Sequence, residues 1–278
     1  MRLDGPESSN VEDRRGGGGG GGGRIAIGGI GGVILVVVSL LLGIDPTTIL
    51  QGDAQAPAQP QRQQARVGKG QPQEHDLGRQ FVSRVLAETE SVWTAEFARA
   101  RRVYDPPTLV LFSGATQSGC GYAQAQMGPF YCPNDARVYI DLDFMADLQR
   151  RLGANGDFAA AYIVAHEVGH HVQNLLGTLR RTQSARDNAT QVRVELQADC
   201  YAGVWANRAQ AARQILEEGD IEEGLNAAAA VGDDRIQRRS QGRVSPETFT
   251  HGSSEQRVGW FRRGLAAGRP EACDTFGR

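Results

Sequence analysis

The stretch Asp157-Phe-Ala-Ala-Ala-Tyr-Ile-Val-Ala-His166-Glu167-Val-Gly-His170-His171-Val-Gln-Asn-Leu-Leu-Gly177 decides how this chain is read. Its apolar residues and alanines suit a helix, with Asp157 as the expected N-cap and Gly177 as the residue just past the C-terminus. His166 and His170 are four residues apart, so a helix projects both rings from one face, one turn apart. Two imidazole nitrogens placed in this way reach a single zinc ion at about 2.0–2.1 Å. Glu167 lies about 100° further round the helix, beside such an ion, where it can take a proton from water. This is the His-Glu-x-x-His arrangement of zinc peptidases. A purely structural role would bury two histidines and a glutamate on an apolar helix, where each needs a partner.

Catalytic zinc takes a third protein ligand and keeps one position for water. The chain has five histidines, which narrows the choice. His171 is turned about 100° from the ligand face and is read as a supporting or surface residue. His75 falls at the edge of a linker. Glu195, in Val192-Arg-Val-Glu195-Leu-Gln-Ala-Asp199, is the candidate third ligand on a second helix. Asp199 follows it one turn later and is placed to accept a hydrogen bond from a ligand imidazole, fixing its tautomer. His251 is the candidate for stabilising a developing oxyanion, with capping or packing as its alternative role. It precedes Ser253 and Gln256, which have capping-box spacing and mark a helix start.

The 278 residues carry 30 Lys+Arg against 32 Asp+Glu, a net charge of −2 that gives no pull toward nucleic acid. No nucleic-acid partner is expected. Residues 1–24 are polar, end in a glycine run, and read as a disordered cytoplasmic tail. Residues 25–44 are uncharged and long enough to cross a bilayer as a helix, at about 1.5 Å per residue. Arg14, Arg15 and Arg24 precede that run and no cation follows until Arg62, so the positive-inside rule predicts a cytoplasmic N-terminus. The expectation is a single-pass cell-membrane protein with its catalytic domain outside the cytoplasm. Gly28 and Gly32 offer a weak pattern for self-association of the membrane helix. Residues 45–74, rich in Gln, Ala and Pro, read as a linker, and residues 75–278 as the folded domain.

Within that domain the pattern is α+β. Asp76 is read as the cap of a helix carrying Leu77, Phe81, Val82, Val85, Leu86, Trp93 and Phe97, ended by Pro106 and Pro107. Strands are expected at 108–112 and 137–143, with a glycine-rich loop between them and a hairpin or edge strand at 128–132. The C-terminal part reads as mostly helical. Cys120, Cys132, Cys200 and Cys273 make an even count. Cys120–Cys132 is the natural local disulfide, leaving Cys200–Cys273 to tie the tail to a helix; a free buried Cys200 is the alternative.

Residues 10–15, 110–120, 128–145, 165–173, 194–205, 232–235 and 248–257 together resemble the bacterial, membrane-anchored "putative neutral zinc metallopeptidase" family. The resemblance implies one zinc per chain, held by His166, His170 and Glu195 as in gluzincins. It also implies a small sheet before the active-site helix, whose edge strand (128–132 here) aligns the substrate backbone. The second motif departs from thermolysin in lacking the Asn before Glu195. The function expected is peptide-bond hydrolysis by a Glu167-activated water, acting on exported or envelope proteins. The alternatives are a catalytically silent zinc-containing scaffold at the membrane and a zinc hydrolase of another bond.

Overall fold

The run Thr108–Phe112 is apolar on both faces, the signature of a strand covered on both sides. In the computed structural model, which describes residues 1–15, 73–143, 145, 156–185 and 187–277, it is an inner strand of the larger sheet. The strands are β1 (Val11–Asp13), β2 (Thr108–Phe112), β3 (Ala115–Ser118), β4 (Gly121–Gln124), β5 (Phe130–Cys132) and β6 (Arg137–Asp141). Sheet order is β1-β2-β6-β5, with β1 and β6 parallel to β2 and β5 antiparallel to β6. In register, Val11 faces Leu109 and Leu109 faces Val138. Strands β3 and β4 form a separate antiparallel hairpin.

Seven α-helices complete the α+β architecture among the described residues: α1 (Gln73–Arg99), α2 (Asp157–Leu175), α3 (Thr178–Thr182), α4 (Asn188–Arg213), α5 (Asp220–Ala230), α6 (Asp233–Gln241) and α7 (Ser254–Ala267). Helix α2 packs between α1, α4 and α5, and α7 packs along α4. The core they share contains Leu86, Trp93, Phe158, Tyr162, Trp205 and Phe261, all fully buried. Trp93 meets Tyr201 edge-on, and Phe158 stacks on Trp205. Both disulfides form, Cys120–Cys132 and Cys200–Cys273, and none of the four cysteines is free. The first ties the β3–β4 turn to β5; the second ties the C-terminal segment to α4.

Several expectations are corrected. Helix α1 starts at Gln73 and ends at Arg99, well before Pro106. The last strand stops at Asp141, because Asp141 accepts from the amide of Asp143 and turns the chain. The glycine-rich loop contains the β3–β4 hairpin. Asp157 is the first helical residue rather than the cap, and its carboxylate accepts two 2.7 Å bonds from the Met1 amino group.

The largest correction concerns the N-terminus. The first fifteen residues are not a loose tail: they run along α1 and end in the domain's own sheet. The amide of Leu109 donates to the Asn10 carbonyl (2.8 Å), and that of Arg14 to the Leu111 carbonyl (2.8 Å). Ser8 and Asn10 both donate to the Glu90 carboxylate. Met1, Leu3 and Val11 pack on the core. Residues 16–72, including the expected membrane helix at 25–44 with Gly28 and Gly32 and most of the linker, lie outside the described residues. Among the described residues no helix is long and apolar enough to cross a membrane. A single crossing between residues 15 and 73 would put β1 and β2 on opposite sides of a bilayer, yet they are hydrogen-bonded neighbours. The single-pass topology, with cytoplasmic N-terminus and external catalytic domain, is therefore withdrawn.

Candidate metal centre

Helix α2 runs through the core, so every residue from Val164 to Gln173 is buried. It can sit this close to α4 because Gly169 carries no side chain; a Cβ there would lie 3.0 Å from the Ala198 carbonyl oxygen. That contact brings the His166–His170 face against the Glu195–Asp199 face of α4. His166 Nε2 is 3.2 Å from one Glu195 oxygen, and His170 Nε2 is 3.6 Å from the other. Donor atoms of His166, His170 and Glu195 all lie within 4.8 Å of one another.

The far side of each ring is held. His166 Nδ1 is 2.9 Å from Asp199 Oδ1, and His170 Nδ1 is 2.8 Å from Gln173 Oε1. Gln173 is fixed in turn, donating to the Val194 carbonyl at 2.7 Å. With Nδ1 donating to these oxygens, each Nε2 presents a lone pair toward the Glu195 carboxylate. Facing lone pairs repel unless a proton or a cation lies between them. The fields agree: burial pushes His166 down, but Asp199 and Glu195 outweigh it and lift the ring to about 10. Burial likewise raises Glu195, yet His170, His166 and His251 hold its carboxyl well below the usual range. Two nitrogens and a carboxylate oxygen form a donor set suited to zinc.

Glu167 supplies the second test of fit. It is buried, and its Oε2 has no hydrogen-bond partner among the described residues. Burial raises its carboxyl above the ordinary value, against the pull of His166 and His170. A carboxylate left short of partners beside three converging donors fits a site where water and an ion belong.

The other candidates fall into two groups. His171 points away from this cluster: it is buried, with Nε2 at 2.6 Å from the Asp105 carbonyl and Nδ1 at 3.1 Å from the Tyr131 hydroxyl. It joins α2 to β5 rather than supporting the cluster. The side chain of His75 lies outside the described residues. His251 sits close enough to Glu195 to influence its charge. Asp233 holds it there, its Oδ2 accepting from the amides of Thr250, His251 and Gly252 at 2.7, 2.7 and 3.0 Å. The His251 ring nitrogen Nδ1 is 3.3 Å from Asp233 Oδ1 and 3.0 Å from the Thr250 hydroxyl. Ser253 caps α7 in the capping box read from the sequence.

Asp233, Tyr162 and Gln173 were not among the residues read from the sequence. Two carried a local signal, Tyr162 one turn before His166 and Gln173 three residues after His170, on the same helix faces. Asp233 fell only within the family-like stretch 232–235 and carried no spacing signal, since only the fold brings it to His251.

A buried His-Glu-x-x-His helix facing a glutamate on a second helix, inside an α+β domain, places the chain in the class of zinc metallopeptidases. The chain belongs to the family described as "Putative neutral zinc metallopeptidase", whose pattern matches residues 1–276. It is 49% identical over 293 residues to "Uncharacterized protein YpfJ" of Escherichia coli (strain K12), covering 100% of this chain and 99% of that protein. It is also 46% identical over 256 residues to "Uncharacterized protein Rv2575" of Mycobacterium tuberculosis (strain H37Rv), covering 86% and 85%. No solved structure matches the chain.

Proposed function

We propose that this chain is a zinc-dependent endopeptidase of gluzincin type, binding one zinc per chain through His166, His170 and Glu195 and acting on protein or peptide substrates. The observation that carries the reading is the buried Oε2 of Glu167, without a hydrogen-bond partner among the described residues and within the field of those three donors. Zinc, when bound, supplies Lewis acidity, acidifying water and polarising the scissile carbonyl. Glu167 then accepts the proton of the attacking water and delivers it to the leaving amine. Asp199 and Gln173 hold the two imidazoles in the tautomer that keeps Nε2 free for a metal. His251, aimed by Asp233, donates to the oxyanion as it forms. Strand β5, at the end of the sheet and packed beside α2, aligns an extended substrate backbone.

The test uses the full chain, purified without chelator. Elemental analysis should find one zinc per chain, and the loaded protein should cleave an unfolded protein such as casein or a peptide library. Glu167→Gln should keep the zinc and lose the cleavage. A chain that binds no zinc would end the proposal, and zinc without cleavage of any peptide would leave a silent zinc-binding scaffold.

A further inference from the structure

Asp199 has no exposure at all, and its carboxylate serves more than His166. The Tyr162 hydroxyl donates to Oδ1, the oxygen that His166 Nδ1 also contacts. The Arg257 guanidinium grips both oxygens, Nε to Oδ2 at 2.8 Å and Nη2 to Oδ1 at 2.9 Å. Its Nη1 donates to the Val231 carbonyl at the end of α5 (3.1 Å), and its Nη2 approaches the Tyr162 hydroxyl (3.3 Å). One guanidinium on α7 therefore joins α4, α5 and α2 directly behind the metal-facing histidine.

Stability alone is a poor account of this arrangement. A buried ion pair often contributes no more than an apolar replacement of equal volume, because desolvating both charges offsets their attraction. Here one carboxylate meets four groups at once: His166 Nδ1, the Tyr162 hydroxyl and two guanidinium nitrogens. The guanidinium fixes the plane of that carboxylate through two parallel bonds, and with it the oxygen that His166 Nδ1 meets.

The placement of Arg257 is itself set without slack. A Cβ on Gly264 of α7 would lie 1.9 Å from the Cys200 carbonyl oxygen, and one on Gly203 of α4 would lie 2.1 Å from the Phe261 carbonyl oxygen. The two helices touch backbone to backbone, so the guanidinium stands at a fixed height beside Asp199. We propose that Arg257 and Tyr162 are positioning residues of the metal centre, acting through Asp199 to fix the orientation of His166. The inference rests on the reading of His166 as a zinc ligand.

The experiment measures zinc affinity of the full chain by chelator competition, with the visible spectrum of the cobalt-loaded protein and a thermal melt in parallel. The variants are Tyr162→Phe, Arg257→Met, Arg257→Lys and Asp199→Asn, together with Asp199→Asn combined with each of the first two. Tyr162→Phe and Arg257→Met should each weaken zinc binding by about tenfold or more, the usual cost of losing an outer-shell partner. Arg257→Lys should recover part of the loss, and the cobalt bands should shift in Tyr162→Phe. In the Asp199→Asn background Tyr162→Phe should not weaken binding further, and Arg257→Met should do so far less than in the unaltered chain, since only the 3.4 Å approach of Arg257 Nη2 to His166 Nδ1 remains to it. Unchanged affinity in a folded Tyr162→Phe chain overturns the proposal, as does a loss that adds in full to that of Asp199→Asn. If Arg257→Met does not fold, Tyr162→Phe, which removes one hydroxyl, decides alone. Should the unaltered chain itself take up no zinc, the proposal falls with the peptidase reading beneath it; zinc uptake that Tyr162 and Asp199 do not influence overturns this proposal only.

Discussion

In the proposed reaction Glu167 would carry the proton and His251 would stabilise the developing charge. Glu167 stands on the helix that carries both histidines, and Gln would keep its shape without its basicity. Glu167→Gln should therefore lower kcat by at least about 100-fold, the lower end for a lost general base, while zinc content stays at one per chain. Elemental analysis and initial rates on the same preparation check both halves. His251→Ala should lower kcat by about 100-fold with little change in zinc affinity, since the ring is aimed by Asp233 and is not one of the three converging donors. A large loss of zinc in that variant would instead make His251 a ligand. His166, Glu167 and His170 were legible because their relation is local: helical spacing alone sets it. Glu195 and Asp199 were legible as a second i, i+4 pair. Asp233 was not, because its hold on His251 crosses the irregular segment between α6 and α7, and loop closure leaves no periodic trace.

Helices α1 and α2 were readable from apolar periodicity and the start of α7 from its Ser253 capping box, although Asp76 and Asp157 do not cap; the contacts between helices were not readable. Gly203 and Gly264 sit in helix interiors, where glycine weakens a helix by roughly 1 kcal/mol relative to Ala. In isolation that reads as a flaw; in the fold it is what lets α4 and α7 meet at the backbone. Gly264→Ala should remove that contact. The added Cβ would have to push apart two carbonyl-bearing backbones rather than a flexible side chain, so we expect a loss of at least about 1–3 kcal/mol, the usual range for overpacking. Denaturant melts of the two proteins measure it. Breaking the nearby Cys200–Cys273 bridge with paired serines should cost about 2–4 kcal/mol, because the bridge restricts a long loop of the unfolded chain. Equal midpoints before and after would mean that α4 and the C-terminal segment hold each other by packing alone.

At the scale of the molecule, residues 1–15 were misread because the sequence offers no periodicity to read there. They hold few apolar side chains, and those that matter, Met1, Leu3 and Val11, are half-buried against surfaces folded from residues beyond 73. What fixes the segment is a set of distant partners. The Arg84 guanidinium donates to the Leu3 carbonyl at 2.8 Å, Arg79 pairs with Glu7 at 3.2 Å, and Arg137 with Glu12 at 3.0 Å. Arg14 reaches the Gln117 carbonyl at 2.9 Å, linking the segment to the β3–β4 hairpin as well. Each exposed ion pair contributes little, but the strand pairing is another matter. Without β1, the inner strand β2 becomes an edge with unpaired amides and carbonyls between apolar side chains, a template for association with other chains. A protein that begins at residue 73 should therefore self-associate and melt earlier. Loss of about 2 kcal/mol corresponds to a fall of roughly 4–8 °C for a domain of this size. A synthetic peptide of residues 1–15, added to that shortened protein, should restore both the melting temperature and the monodisperse state. Light scattering and a thermal melt with and without the peptide decide it: restoration means the segment belongs to the folded domain as a strand, and an unaltered melt in the shortened protein means that β1 only rests on a fold complete without it.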